Sequence, residues 1–146
     1  MREILFRGKS TETNQWIYGG FHIWEKRQVC ALGNDRLKDD EISYVITVNS
    51  FADWNMPRTM QAVEVIADTV GQYTGLTDRN GNKIFEGDIV NILTENEEIG
   101  VIVYEDGGFI VHADKFSIDI IYKINRTDVE VIGNKYDNPK LMEIQE

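Results

Sequence analysis

The side chains with the means to do chemistry are few: two histidines, His22 and His112, one cysteine, Cys30, and the carboxylate pair Glu86 and Asp88 on either side of Gly87. A zinc centre would need both imidazoles together with Cys30 or carboxylates, and no ligand pair stands at a metal-binding spacing. Cys30 could act as a nucleophile only beside a base. Its neighbours Val29, Ala31 and Leu32 point instead to a buried, inert thiol. His112 follows Val111 in an alternating segment, which predicts an imidazole turned away from the core. Glu86 and Asp88 would serve a hydrolase only if both faced one cleft. Placed just before Ile89-Val90, they fit turn capping and strand entry. Asp106-Gly107-Gly108 reads as a hairpin turn. Neither glycine-rich stretch is followed by the Gly-Lys-Ser/Thr of a phosphate loop. These residues predict no catalytic centre, no metal and no cofactor.

The elements that carry these groups read as short strands separated by turns. Residues 4–9 form a strand ending in a turn. Gln15-Trp16-Ile17-Tyr18-Gly19-Gly20-Phe21-His22-Ile23-Trp24 is aromatic and β-branched, which predicts a strand with a bulge or bend at the two glycines. Together they make an N-terminal hairpin. Residues 29–32 suggest another short strand, 33–41 a charged loop, 42–48 a β-branched strand, and 50–58 an irregular stretch in which Pro57 restricts Met56. Residues 59–68 fit a helical face or a strand equally well.

Beyond residue 70 the pattern sharpens. Asp78-Arg79-Asn80-Gly81-Asn82 is a turn with Asn-Gly at its heart. Ile89-Val90-Asn91-Ile92-Leu93 is a strand that pairs with Gly100-Val101-Ile102-Val103-Tyr104 across a polar turn at 95–98. Phe109-Ile110-Val111-His112 returns after the second turn. Residues 116–124 read as a strand or a short helix, and Asp128-Val129-Glu130-Val131-Ile132-Gly133 closes with clean alternation. Gly71, Gly75, Gly81 and Gly87 are expected where the chain turns or takes a positive φ, with Asp78, Asn80 and Asp88 capping. The prediction is a mostly β protein, with β-rich α+β as the variant. Residues 1–68 would form an N-terminal β region with a variable insert, and 69–146 a small SH3-like barrel.

The chain has 146 residues, enough for one domain or two very small ones, with 42% hydrophobic and 27% charged residues. Twenty-five acidic side chains against 15 basic ones give a formal charge of −10. Such a surface repels phosphate backbones and anionic lipid, so nucleic acid and membrane are poor partners. A lone cysteine forms no internal disulfide, the opening residues carry no apolar signal region, and no apolar run is long enough to span a bilayer. The expectation is a reducing cytoplasm.

Three blocks carry a resemblance to a known family. Met1-Arg2-Glu3-Ile4-Leu5-Phe6-Arg7-Gly8-Lys9 with Trp16-Ile17-Tyr18-Gly19 is similar to the N-terminus of YopX-type proteins. The run from Thr69 through Gly71-Gln72-Tyr73-Thr74-Gly75-Leu76 and Asp78-Arg79-Asn80-Gly81-Asn82 to Glu86-Gly87-Asp88-Ile89-Val90 resembles that family's signature. Val131-Ile132-Gly133-Asn134-Lys135-Tyr136-Asp137-Asn138-Pro139 resembles its closing pattern. Residues 29–68 are the divergent part. The resemblance implies a phage or prophage origin in a bacterial host, a β-rich fold and assembly into a homo-oligomer. It implies no reaction.

Trp16, Tyr18, Phe21 and Trp24 are dense for so short a segment. Alternation over two faces would leave some of these rings outside, available to a second copy or to a host or phage protein. The expected function is therefore a non-enzymatic phage accessory protein acting by protein contact. The alternatives are a nucleic-acid-associated small barrel and an acidic nucleic-acid mimic.

Overall fold

The structure, a computed structural model, describes residues 1–93, 98–113, 116–119 and 128–145. It is mostly β, and its contacts divide into two units, Leu5–Val70 and Met1–Ile4 with Gly71–Glu146.

In the first unit β1 (Phe6–Lys9), β2 (Trp16–Glu25), β3 (Ile42–Asn49) and β4 (Met60–Glu64) pair antiparallel in chain order. The tip of the first hairpin is held locally. Ser10 Oγ accepts the N–H groups of Glu12 and Thr13, and Asn14 takes a φ of 57°. Such short polar side chains tolerate the left-handed region better than most. Residues 59–68 resolve as strand β4 followed by a 3-10 turn at Ala67–Thr69. Thr69 Oγ1 accepts the Lys9 N–H at 2.9 Å and donates to the Ile66 carbonyl at 2.6 Å. Ser10 and Val65 form an isolated bridge, so the chain just after β1 meets the chain just after β4 at one point. Ile46, Val45 and Val65 are buried, and Gly8 lies directly under Val65.

Two local expectations need correction. Of the bulge or bend expected at Gly19-Gly20, neither ladder shows a bulge: β2 pairs with β1 through Gly19 and with β3 from Gly20, so the two glycines mark the change of partner. The glycine at 19 is required by crowding, since a Cβ there would stand 1.9 Å from the Thr47 carbonyl oxygen. The short strand expected at 29–32 is irregular, exposed chain.

In the second unit β5 (Gly71–Thr77) and β6 (Lys83–Phe85) form a hairpin. β7 (Asp88–Ile92), β8 (Glu98–Glu105), β9 (Gly108–Ala113), β10 (Phe116–Asp119) and β11 (Val129–Asn134) make an antiparallel sheet ordered β10-β9-β8-β7-β11. Alternate residues of these strands supply one core: Ile84, Val90, Ile92, Ile102, Val111 and Val129. Each such side chain contributes about 1.5–3 kcal/mol on burial. The described strands do not close into a barrel, so the SH3-like barrel expected at 69–146 is replaced by an open five-stranded sheet and a hairpin. The strand-turn-strand rhythm is common to both architectures; the pairing order, which alternation does not encode, separates them. Of the polar turn at 95–98 only Glu98, which opens β8, is described, and residues 120–124 lie outside the described residues.

Gly75, Gly81 and Gly87 have φ of 89°, 83° and 89°. Gly71 does not turn the chain. It is a buried residue of β5 whose missing Cβ would meet the Glu86 carbonyl oxygen at 2.6 Å.

The turn at 78–82 is organised by one carboxylate. Asp78, 2% exposed, accepts N–H groups from Asn80 at 2.9 Å and Asn82 at 2.8 Å on one oxygen. Its other oxygen accepts the Val131 N–H of β11 at 3.0 Å and the Asn82 amide at 3.3 Å. Burial alone would push this carboxyl up, but the N–H groups of Val131, Asn82 and Asn80 outweigh it and hold the group below its ordinary value. The sign follows from linkage: a depressed native pKa gives stability that is complete above the unfolded value of about 3.9 and is lost as pH falls below it. Asp78→Ala strands buried donors and should cost about 2–4 kcal/mol in urea unfolding at neutral pH. Asp78→Asn should in addition flatten the stability–pH curve below about pH 4. A cost within error of zero would show that β11 does not need this anchor.

Candidate interaction surface

Trp16, Tyr18, Phe21 and Trp24 all lie on β2 of the first unit, and the register decides which of them meet. Positions 16, 18, 22 and 24 of β2 share one face, and Phe21 lies on the other. Phe21 is half-buried, 5.5 Å from the Phe6 ring and stacked on Tyr44 at 6.3 Å. Trp16 is also half-buried, with the Arg7 guanidinium 4.6 Å and the Lys9 ammonium 5.4 Å from its ring centre. Each such contact contributes about 0.5–2 kcal/mol. Tyr18 and Trp24 are open to solvent, Trp24 by 51%, with Lys26 at 5.7 Å from its ring. The structure thus divides the four-residue set into two packing residues and two surface residues.

Trp24 and His22 line a shallow apolar hollow of about 320 Å³ with Val45, Thr47 and Ala62 from the neighbouring strands. The β3–β4 connection holds three large apolar side chains in water: Phe51 at 91%, Trp54 at 94% and Met56 at 62% exposure. Met60, first residue of β4, is 75% exposed. The irregularity of this connection hides its content from pattern reading: two aromatics and a methionine in a stretch without alternation have no core face to join.

The two units differ in charge. Leu5–Val70 holds nine acidic against seven basic residues, and Met1–Ile4 with Gly71–Glu146 holds sixteen against eight. Ten of the fifteen large apolar side chains exposed among the described residues lie in the nearly neutral unit, and Phe51, Trp54 and Met60 are among them.

Of the groups weighed for chemistry, His22 lines the hollow, and the others lie on other elements or serve the fold. Cys30 is exposed, which corrects the expectation of a buried thiol. Residues 26–41 form a charged loop clamped by Arg27, which donates to both oxygens of Asp35 at 2.9 and 3.0 Å and to Glu41 at 3.0 Å. The Cys30 N–H donates to Asp35 at 2.6 Å. The Arg27 hydrogen bonds, then the Cys30 N–H, draw the Asp35 carboxyl down to about 2. The Arg27 and Lys38 donors lower Glu41 in the same way, and the two carboxylates raise Arg27. This loop is tied by exposed charge and not by apolar packing, so Cys30 has no core to enter. His22 and His112 are exposed. Asp88 is buried and accepts the Phe85 N–H at 2.7 Å, spanning its own turn, while Glu86 is half-buried. Among the described residues no three His, Cys, Asp or Glu side chains stand close enough to hold a metal ion. No described helix is long and apolar enough to cross a membrane.

A family profile described as YopX protein matches residues 5–143. The chain belongs to the YopX protein family. Over 135 residues this YopX-family chain is 27% identical to the SPbeta prophage-derived uncharacterized protein YopX of Bacillus subtilis (strain 168), a match spanning 84% of this chain and 95% of that protein. Its fold is similar to the crystal structure of protein EF1440 from Enterococcus faecalis, with a TM-score of 0.53, 22% identity and coverage of 97% and 99% of the two chains.

The loop clamp has a direct readout. Arg27→Ala should abolish protection of the Cys30 amide in hydrogen exchange and leave the β3 amides unchanged. In the native protein a disulfide reagent should titrate one thiol per chain at the rate of a free cysteine; a thiol released only by denaturant would place Cys30 in a core.

Proposed function

We propose that this YopX-family chain is a non-catalytic phage or prophage accessory protein that works in the host cytoplasm by protein–protein contact and assembles with copies of itself. One observation carries the reading: the exposed Trp24, Phe51, Trp54, Met56 and Met60 all belong to the nearly neutral unit. A folded protein leaves few large apolar groups in water together, and such a group marks a contact surface. Low local charge lets two like surfaces meet without repulsion, whereas the acidic unit repels its own kind. Aromatic anchors of this sort carry most of the energy of an interface, about 2 kcal/mol or more each. The prophage origin named for the Bacillus relative supports the biological setting.

Sedimentation equilibrium from micromolar to millimolar protein checks the assembly. A discrete oligomer is expected. Trp24→Ala and Trp54→Ala should each weaken association roughly tenfold or more, at unchanged fold by circular dichroism. A chain that stays monomeric throughout and retains no host or phage protein from infected cells would end this reading.

A further inference from the structure

We infer that the outer edge of β4 pairs with β4 of a second copy, antiparallel and centred on Gln61, so that the sheets of the two copies join into one. The inference rests on the assembly reading above and names its contact.

Three independent features select this edge and this register. First, backbone groups point the right way. The Val65 N–H donates to Tyr44 at 2.8 Å and the Ser50 N–H to Thr59 at 2.7 Å, so odd-numbered residues of this segment bond to β3. The amide groups of Met60 and Ala62 therefore face outward. No described strand lies beyond β4, and Met60-Gln61-Ala62-Val63 has no charge, proline or bulge of the kind that guards an edge. Pairing about Gln61 sets Met60 opposite the partner's Ala62, and both carry outward amides, as an antiparallel ladder requires.

Second, size is matched. Ala62 lines the apolar hollow with Thr47, Val45, His22 and Trp24, and Met60 is the exposed, flexible side chain on the same strand face. In this register the partner's Met60 arrives beside Ala62 and covers the hollow, twice about the twofold axis. Centring on Ala62 would oppose Ala62 to itself and leave the hollow open. Centring on Met60 would oppose two methionines.

Third, charge is matched. The open edge ends where Thr11 donates to the Glu64 carbonyl at 3.1 Å. A second hollow of about 180 Å³ lies there, lined by Ser10, Thr11, Glu12, Ala62, Val63 and Glu64. Gln61-centred pairing confines the ladder to residues 60–62, short of the Thr11 contact, and turns the partner's Arg58 side chain toward the carboxylates of Glu12 and Glu64 at this end.

The test is cross-linking in the full-length chain carrying Cys30→Ser. Gln61 faces its own copy across a non-hydrogen-bonded pair with Cα atoms about 4.5 Å apart, within disulfide range. Gln61→Cys should oxidise to a covalent dimer in high yield. Thr59→Cys, roughly 13 Å from its counterpart, should not. Arg58→Glu should weaken association about tenfold, and adding Glu64→Arg should restore it. An oligomer that forms without the position-61 disulfide overturns this contact and leaves the assembly reading standing. A chain that never associates overturns both.

Discussion

A single carboxylate sets the geometry on which the Gly71–Glu146 unit depends. Asp78 is accepted into a buried position only because four N–H donors meet it, and two of its jobs differ in reach. One oxygen folds the local turn between β5 and β6. The other reaches 53 residues along the chain to the backbone of β11, the strand that completes the sheet beside β7. A buried charge with fewer partners would cost more than it returns. The turn and the sheet edge are therefore formed together or not at all, and the apolar core of Ile84, Val90, Ile92 and Val129 lies between them.

The Leu5–Val70 unit is built on a different constraint, close backbone approach. Gly19 admits the Thr47 carbonyl and Gly8 admits Val65. Tight strands at these points bring the end of β1 to the end of β4 at the Ser10–Val65 bridge, yet leave the outer edge of β4 without a described strand beside it. Arg27 orders the variable loop by electrostatics at the surface, a cheap device that tolerates sequence change because it needs no core. The unit thereby keeps a rigid sheet while holding aromatic and methionine side chains outside it. Rigidity and exposed apolar area together favour association, since little ordering remains to oppose it.

Neighbouring residues account for the folding role of one chemistry-bearing side chain and mislead on another. Asp88 does cap its turn, because Glu-Gly-Asp ahead of a β-branched strand has that local geometry wherever it occurs. Cys30 has an apolar neighbourhood in sequence and an aqueous one in space. Its loop is closed by Arg27 and Asp35, eight residues apart, and no periodicity announces an ion-pair clamp.

Strand content, the turns at 78–82 and 106–108 and the family membership were legible in the sequence, because alternation, Asn-Gly and Gly-Gly act over a few residues and carry their own geometry. Pairing order, the open sheet in place of a barrel, the crowding that demands Gly71 and Gly19, and the exposure of Phe51, Trp54 and Met60 were decided by tertiary structure. Each of these depends on which strand lies beside which, a choice made by the summed packing of distant segments and written in no single one of them.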